Sequence, residues 1–424
     1  MNMRKTQKGV VGIVAMASVA ALALTGCARG GDGGGGDGGD GGGAAASPGI
    51  TDTSLTFGIT SPLTGATAGP GNCTVDGALA YFGVKNAEGG IEFGDGKTRT
   101  IEIKSYDDTY DPQKALANFQ QMVADDVFAG GIGLGTPTNR AWREAAIDEE
   151  FPQVLVMSGD PIFSDREESP WQLGFVPIYQ QEGEAFGKLL ASSSDEHKVA
   201  ILYQNDDYGE GYVEGFKSAI EGADNIEVVE ELTYEATDTS VDAQITELAA
   251  SGADVFFNAM SITPLVISAL QKAQQIGWLP SWFLPSNTSS PSAILEPGGG
   301  SAFPGIYTVA FSGAAASPAF QESEEGQAFM EALGEYTNQD GVPAFPHCVW
   351  SWIAASVLEQ AFMKMEEPTR EAFMEALLSI EDFNAPFMLE GSTINTTVDG
   401  LPAVADVQVQ KYNGRGYETA QSFE

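Results

Sequence analysis

From Ile50 onward the chain alternates short apolar strands with amphipathic helices, and that alternation leaves few folds open. Ser54–Thr60 reads as a strand. Asn72–Asn86 reads as a helix with Ala78, Tyr81 and Phe82 on one side, stopped by Glu88-Gly89-Gly90. Thr100–Tyr106 sets Ile101 and Ile103 against Glu102 and Lys104, as a strand should. Asp111-Pro112 opens a helix ending near Ala124, Val127–Ile132 is a buried strand, Pro137 starts another helix and Gln153–Met157 is a further buried strand. The syntax then restarts. Lys198–Tyr203, Ile226–Leu232, Asp254–Asn258 and Trp282–Leu284 read as strands, with helices at Gly209–Ile220, Ser240–Ala250 and Thr263–Ile276 between and after the first three. Successive units of this kind predict an α/β fold of mostly parallel sheets with helices on both faces.

An internal echo points to two lobes of one architecture. Asp111-Pro112-Gln113, a helix and Asp125-Asp126-Val127-Phe128 are answered by Asp238-Thr239-Ser240, a helix and Gly252-Ala253-Asp254-Val255-Phe256. The alternative is the general likeness of all strand–helix–strand units. Helices return at Ser323–Thr337, Cys348–Met365 and Thr369–Ile380, before a strand at Asp406–Tyr412. That order suggests that the chain crosses back between lobes.

The N-terminus supplies an address. Arg4, Lys5 and Lys8 precede an uncharged apolar run, Val10–Leu24, of about 15 residues, short of the roughly 20 a spanning helix needs. It ends in Leu24-Thr25-Gly26-Cys27, which resembles the bacterial lipobox. Residues 1–26 are therefore expected to be a lipoprotein signal peptide and Cys27 to carry the lipid; an ordinary signal peptide or a short membrane anchor is the alternative. Residues 27–49, rich in Gly and Asp, have little to bury and read as a flexible tether. Together these predict an extracytoplasmic body held to the outer face of the cell membrane.

Charge removes several function classes. The chain has 59 acidic and 20 basic residues, a formal net charge of −39, which argues against a nucleic-acid partner and a polybasic membrane surface. Such an excess fits either a solvated surface or, as we prefer, a high-salt habitat. Two His make a His-rich metal site an unfavoured reading, and no metal or cofactor is expected. The chain lacks a Gly-x-Ser-x-Gly elbow and a Walker A sequence, and Gly131-Ile132-Gly133-Leu134-Gly135 has the wrong spacing for a dinucleotide loop. His197 and His347 read as structural or solvent-facing. With Cys27 lipidated, Cys73 and Cys348 favour a disulfide in an oxidising space, two buried thiols being the alternative.

Several stretches also resemble a known family. They are Phe57-Gly58-Ile59-Thr60-Ser61-Pro62-Leu63-Thr64-Gly65, Asn86-Ala87-Glu88-Gly89-Gly90-Ile91, Asp107-Asp108 to Asp111-Pro112, Gly135-Thr136-Pro137-Thr138-Asn139, Leu202-Tyr203-Gln204-Asn205-Asp206-Asp207-Tyr208-Gly209, Ser251-Gly252-Ala253-Asp254 and Gly277-Trp278-Leu279-Pro280. In order and spacing they are similar to the type I periplasmic binding proteins of ABC importers, in the branched-chain amino-acid (leucine/isoleucine/valine) binding group. The resemblance implies two Rossmann-like lobes with three crossings, closing on a small molecule. Lobe one would be 50–178 plus 312–386, and lobe two 179–311 plus 387–424. Cys73 and Cys348 would then share lobe one.

The resemblance also implies a ligand site at the strand ends, where open α/β sheets bind their ligands. Its candidates are Thr64, Gly135 and Thr136, with Thr136 capping the helix that Pro137 begins and binding a ligand carboxylate. Ser158-Gly159, Tyr208, Met260-Ser261 and Ser286-Asn287 complete the set. One departure matters. The group carries an acid for the ligand ammonium at the loop matching Ser286-Asn287, and both residues here are neutral. Asp160 is a weak substitute, beside the carboxylate cradle. An organic or aromatic acid or an amide therefore stays open beside an amino acid. The implied function is a monomeric, lipid-anchored solute-binding component that delivers a small polar solute to ABC permease subunits, with no chemical step. A sensor that signals to a membrane receptor and a carboxylate-based hydrolase are the alternatives.

Overall fold

The structure is a computed structural model that describes residues 45–423. The expected signal peptide, Cys27 and residues 27–44 of the expected tether lie outside the described residues.

Two sheets dominate the body. The first contains β1 (Ser54–Ser61), β2 (Ile91–Glu92), β3 (Thr98–Asp107), β4 (Ala129–Gly131), β5 (Gln153–Val156) and β6 (Gln172–Gly174), in the order β2-β3-β1-β4-β5-β6. All its pairings are parallel except β2 with β3. The second contains β7 (His197–Gln204), β8 (Ile226–Tyr234), β9 (Val255–Ala259), β10 (Ser281–Phe283), β11 (Ile306–Ala310), β12 (Gln408–Tyr412) and β13 (Tyr417–Thr419), in the order β13-β12-β11-β10-β9-β7-β8. Its pairings are parallel from β8 to β11 and antiparallel at β12 and β13. The run β3-β1-β4-β5-β6 and the run β8-β7-β9-β10-β11 thus have one topology. In each, the strand that comes first in sequence is flanked by the second and third of the run, which creates a crevice at its carboxyl end.

Numbering helices of eight or more residues, α1 (Ala68–Ala87), α2 (Pro112–Ala124) and α3 (Thr136–Asp148) belong with the first sheet. So do α8 (Glu324–Tyr336), α9 (His347–Lys364) and α10 (Arg370–Leu377), whose Phe329, Ile353, Phe362 and Phe373 share a buried cluster with Phe57 and Ile59. A second cluster, with Phe119, Trp142 and Phe151, fills the other face. α4 (Tyr179–Ala191), α5 (Asp207–Ile220), α6 (Asp242–Ala250) and α7 (Thr263–Gln275) cover the second sheet. Phe186, Phe216 and Phe257 bury one of its faces, and Ile245, Phe256 and Trp282 the other. Apolar side chains on both faces explain why the strands read as nearly continuous apolar runs.

Cluster membership locates the crossings. Val176 packs in the first lobe and Tyr179 in the second; Val309 packs in the second and Phe311 in the first. The third crossing departs from expectation. Ile394, Ala403 and Val404 are buried in the first cluster, and Ala403 N and Val404 N donate to Gly174 O and Phe175 O. Residues 388–404, placed above in lobe two, therefore pack with lobe one, and the chain crosses at Ala405–Asp406. Without regular secondary structure, this stretch carries no periodicity that reveals its partner.

Cys73 on α1 and Cys348 on α9 form a disulfide, both buried in the first cluster and 275 residues apart in sequence. Long-range crosslinks of this kind contribute about 2–5 kcal/mol, chiefly by restricting the unfolded chain. Reduction, or the double substitution Cys73→Ala/Cys348→Ala, is expected to lower unfolding free energy by that amount in urea titrations. Titrations unchanged by reductant would contradict a stabilising crosslink.

Candidate functional site

The carboxyl ends of the two sheets face a shared cavity. It is tight: about 30 Å³ is open to the centre of a water molecule. A larger groove of about 600 Å³ adjoins it through Ser286 and Trp350. The polar wall of the tight cavity is assembled from loops that follow β3, β4, β9 and β10 and from the first turns of α3, α4, α5 and α9.

The β3 loop shows how local chemistry sets the wall. Asp107 Oδ1 accepts from Thr109 N, and Asp108 Oδ1 from Tyr110 N, both at 2.9 Å. These contacts hold Thr109 and Tyr110 in left-handed conformations, φ 52° and 64°, which non-glycine residues rarely adopt. Asp108 is itself buried, accepts from Thr60 Oγ1 at 3.0 Å, and is pushed up to about 7 by burial. The result is that Tyr110, from lobe one, packs on the lobe-two cluster, where its hydroxyl meets Ser261 and Gln204. Ser261 Oγ donates to Gln204 Oε1 at 2.5 Å, Tyr234 Oη to the same atom at 2.8 Å, and Ser261 N to Tyr234 Oη at 3.0 Å.

A second exchange runs the other way. Tyr179, the first residue of α4 and part of the lobe-two cluster, places its hydroxyl 2.9 Å from Thr136 Oγ1 and 3.2 Å from Ser158 Oγ, while Thr136 and Ser158 lie 2.8 Å apart. Thr136 is therefore not the cap of α3. It is the first helical residue, Gly135 is the N-cap, and the Thr136 hydroxyl turns to Ser158 and Tyr179. Gly135 has φ 109°, and a Cβ there would lie 2.7 Å from the Tyr110 ring. Only glycine lets the two loops approach so closely.

Tyr208 follows Asp206, whose Oδ1 accepts from Tyr208 N and Gly209 N and so caps α5. The Tyr208 hydroxyl donates to Asn287 Oδ1 at 3.1 Å. Tyr179, Tyr208 and Tyr212 pack ring to ring, with centroids 4.8–5.1 Å apart. Glycines on α4 and α5 bring this about: a Cβ at Gly183 would meet Tyr212 O at 2.2 Å, and one at Gly215 would meet Gln180 O at 2.0 Å.

Close packing of α4 on α5 also buries Glu182. Its Oε1 accepts from Ser286 Oγ at 2.7 Å and its Oε2 from Ser286 N at 3.1 Å, and Tyr212 hydrogen-bonds it as well. Burial outweighs these contacts and pushes the carboxyl up to about 7. His347, at the start of α9, is buried against Trp350, ring centroids 4.5 Å apart, and neither ring nitrogen has a hydrogen-bond partner among the described residues. Burial holds its imidazole down at about 3, so it is neutral at ordinary pH.

Of the residues expected at the site, Gly135, Thr136, Tyr208, Ser261, Ser286 and Asn287 line the cavity. Ser158 stands behind Thr136, and Gly159 O accepts from Tyr179 N at 2.9 Å, so both support the wall. Thr64 does not line it: exposed, it donates to Asp107 Oδ2 at 2.6 Å and anchors the turn after β1. Asp160 is held by Arg140, which also reaches Asp207 of α5 at 3.1 Å, tying the rims of the two lobes. Sequence reasoning missed Tyr110, Tyr179, Glu182, Tyr212 and Trp350, and took His347 for a bystander. His197 is the bystander of the two, between Asp254 and Ser193.

Two α/β lobes with one strand order, joined by three crossings and facing each other across a polar cavity, define a bilobal binding protein of the type I class. The periplasmic-binding-protein family profile matches residues 54–416, and the chain belongs to that family. It is 26% identical over 340 residues to the leucine-, isoleucine-, valine-, threonine- and alanine-binding protein of Pseudomonas aeruginosa, covering 78% of this chain and 84% of that one. It is 25% identical to Leu/Ile/Val-binding protein homolog 3 of Brucella melitensis over 216 residues, which is 48% of this chain and about half (53%) of the relative. Among solved structures, the fatty acid ABC transporter substrate-binding protein of Thermomonospora curvata superposes with a TM-score of 0.75 at 21% identity, over 89% of this chain and 95% of that one. These named relatives are binding proteins.

Glu182 gives the site a pH signature. Between its unfolded value of 4.5 and its folded value of about 7, the folded chain holds a proton that the unfolded chain has lost. Its contribution is therefore complete below 4.5 and lost as pH rises through 7, by roughly 3 kcal/mol at most. Glu182→Gln is expected to gain stability relative to wild type as pH rises from about 5 to about 8, read from paired urea titrations. A constant difference would mean that Glu182 is not held protonated by burial.

Proposed function

We propose that this protein is the extracytoplasmic solute-binding component of an ABC importer, anchored by a lipid on Cys27, which captures a small polar organic solute by lobe closure. Amino acids, organic or aromatic acids and amides form the candidate class. One observation carries the reading. The cavity sits at the carboxyl ends of both sheets, and each lobe contributes hydroxyls to the other: Tyr110 to Ser261, and Tyr179 to Thr136 and Ser158. A solute that bridges such groups favours the closed form and shifts the population towards it. Anchoring is supported by Leu24-Thr25-Gly26-Cys27 and by the Gly/Asp tract that follows. Among the described residues no helix is long and apolar enough to cross a membrane. The lobes act as a monomeric clamp that hands the solute to permease subunits.

A thermal-shift screen of amino acids, aromatic acids, amides and short peptides tests this reading. At least one solute is expected to stabilise the protein, by about 2.7 kcal/mol at 100 times its dissociation constant. Thr136→Val is expected to weaken that solute at least about tenfold, because it removes a hydroxyl shared by both lobes. A screen without a single shift would contradict solute capture, and unchanged affinity would remove Thr136 from the site.

A further inference from the structure

Both lobes are acidic, so bringing them together costs free energy through like-charge repulsion. Residues 50–177 carry 19 Asp and Glu against 8 Lys and Arg, and residues 178–310 carry 19 against 4. One point on the rim has the opposite sign. Arg140 of α3 reaches Asp160 in its own lobe and, across the cleft, Asp207 Oδ1 of α5 at 3.1 Å. Among the described residues, the other ion pairs each lie within one lobe. Desolvation opposes the charge on Arg140, and the carboxylates of Asp160, Asp207 and Asp206 outweigh it, so one guanidinium serves three acids. Its place ties the rim to the cavity. Arg140 stands one turn beyond Thr136 on α3, and Asp207 directly precedes Tyr208; Thr136 and Tyr208 both line the cavity. Asp160 is 3% exposed and fixed in its loop: its N–H donates to Ser158 Oγ at 3.3 Å, and its Oδ1 accepts from Ile162 N at 3.1 Å. Arg140 thus has one partner fixed in its own lobe and one that belongs to the other lobe.

We propose that Arg140 is a latch on the rim: seated on Asp160, it takes hold of Asp207 when the lobes meet and sets how long a solute stays enclosed. It is a positioning residue outside the cavity and does not touch the solute. This rests on the solute-capture reading above and extends it to the release step. An isolated, exposed ion pair contributes little. Arg140 matters more because of what its absence leaves behind: Asp160, Asp206 and Asp207 with no cation between them, Asp160 among them buried. The pair forms only once the lobes have met, after the solute has entered, so its loss speeds opening and spares entry. A cation that merely steers a solute inward would behave differently. Its loss would slow entry, and removing the acid opposite it would not speed release.

Stopped-flow release, followed by the fluorescence of the tryptophans (Trp350 lines the cavity), tests this directly. Leucine is the first probe; if it does not bind, the screened solute with the largest thermal shift replaces it. In about 0.1 M NaCl, Asp207→Asn is expected to speed release at least about threefold and Arg140→Gln at least about fivefold, with the capture rate changed less than about twofold. The double variant should release no faster than Arg140→Gln alone, because Asp207 has by then lost its partner. Both ratios to wild type should shrink at about 1 M NaCl, where the screening length falls to about 3 Å. Asp207→Asn leaves Arg140 on Asp160, so it tests the latch even if Arg140→Gln fails to fold. Release unchanged in Asp207→Asn, or capture slowed with release unchanged in Arg140→Gln, would overturn the latch and leave solute capture standing. Failure of every screened solute to bind would overturn both.

Discussion

Closing a cleft between two sheets removes hydroxyls, amides and a carboxyl from water, and each then needs a partner. That requirement governs the site. Tyr208 finds Asn287, Tyr110 finds Ser261 and Gln204, and Tyr179 finds Thr136 and Ser158. Two of these three exchanges cross between lobes, so the groups that solvate the open cleft are the ones that hold it shut. The balance must stay slight for capture to be reversible. Each neutral hydrogen bond adds only about 1 kcal/mol net, because water offers an alternative. A solute that adds even a few contacts to both walls is then enough to shift the balance.

Duplication is what makes the two walls converge. Each lobe has the same strand order, so each presents a crevice at the carboxyl end of its first strand. The crossings at Pro177–Ile178, Ala310 and Ala405–Asp406 join the lobes without constraining them elsewhere. The disulfide between α1 and α9 lies within one lobe, next to His347. It fixes the start of α9 against α1 without linking the two lobes.

Much of the frame was legible in the sequence. The elements around Thr136 and Tyr208 follow from periodicity, Pro at helix starts and turn residues, all of which are local signals. The parts that were not legible share a cause. α4 has no strong boundary: Ile178 precedes it without a capping side chain, and its glycines at Gly183 and Gly187 look like breakers, although they serve close packing on α5. Missing α4 hid both Tyr179 and Glu182. Tyr110 was hidden because its reach into the other lobe depends on left-handed backbone fixed by Asp107 and Asp108. An acid does stand beside Ser286, but from 104 residues away: Glu182 accepts a hydrogen bond from Ser286 itself. Partners that far apart in sequence leave no spacing to read.

Solute capture as proposed draws the two lobes together around the cavity. Small-angle X-ray scattering, recorded with and without a saturating solute from the screen, tests it most directly. Closure should give a smaller radius of gyration with solute, and a smaller response for Thr136→Val at the same concentration. Identical scattering curves in the presence of a solute that demonstrably binds would contradict it.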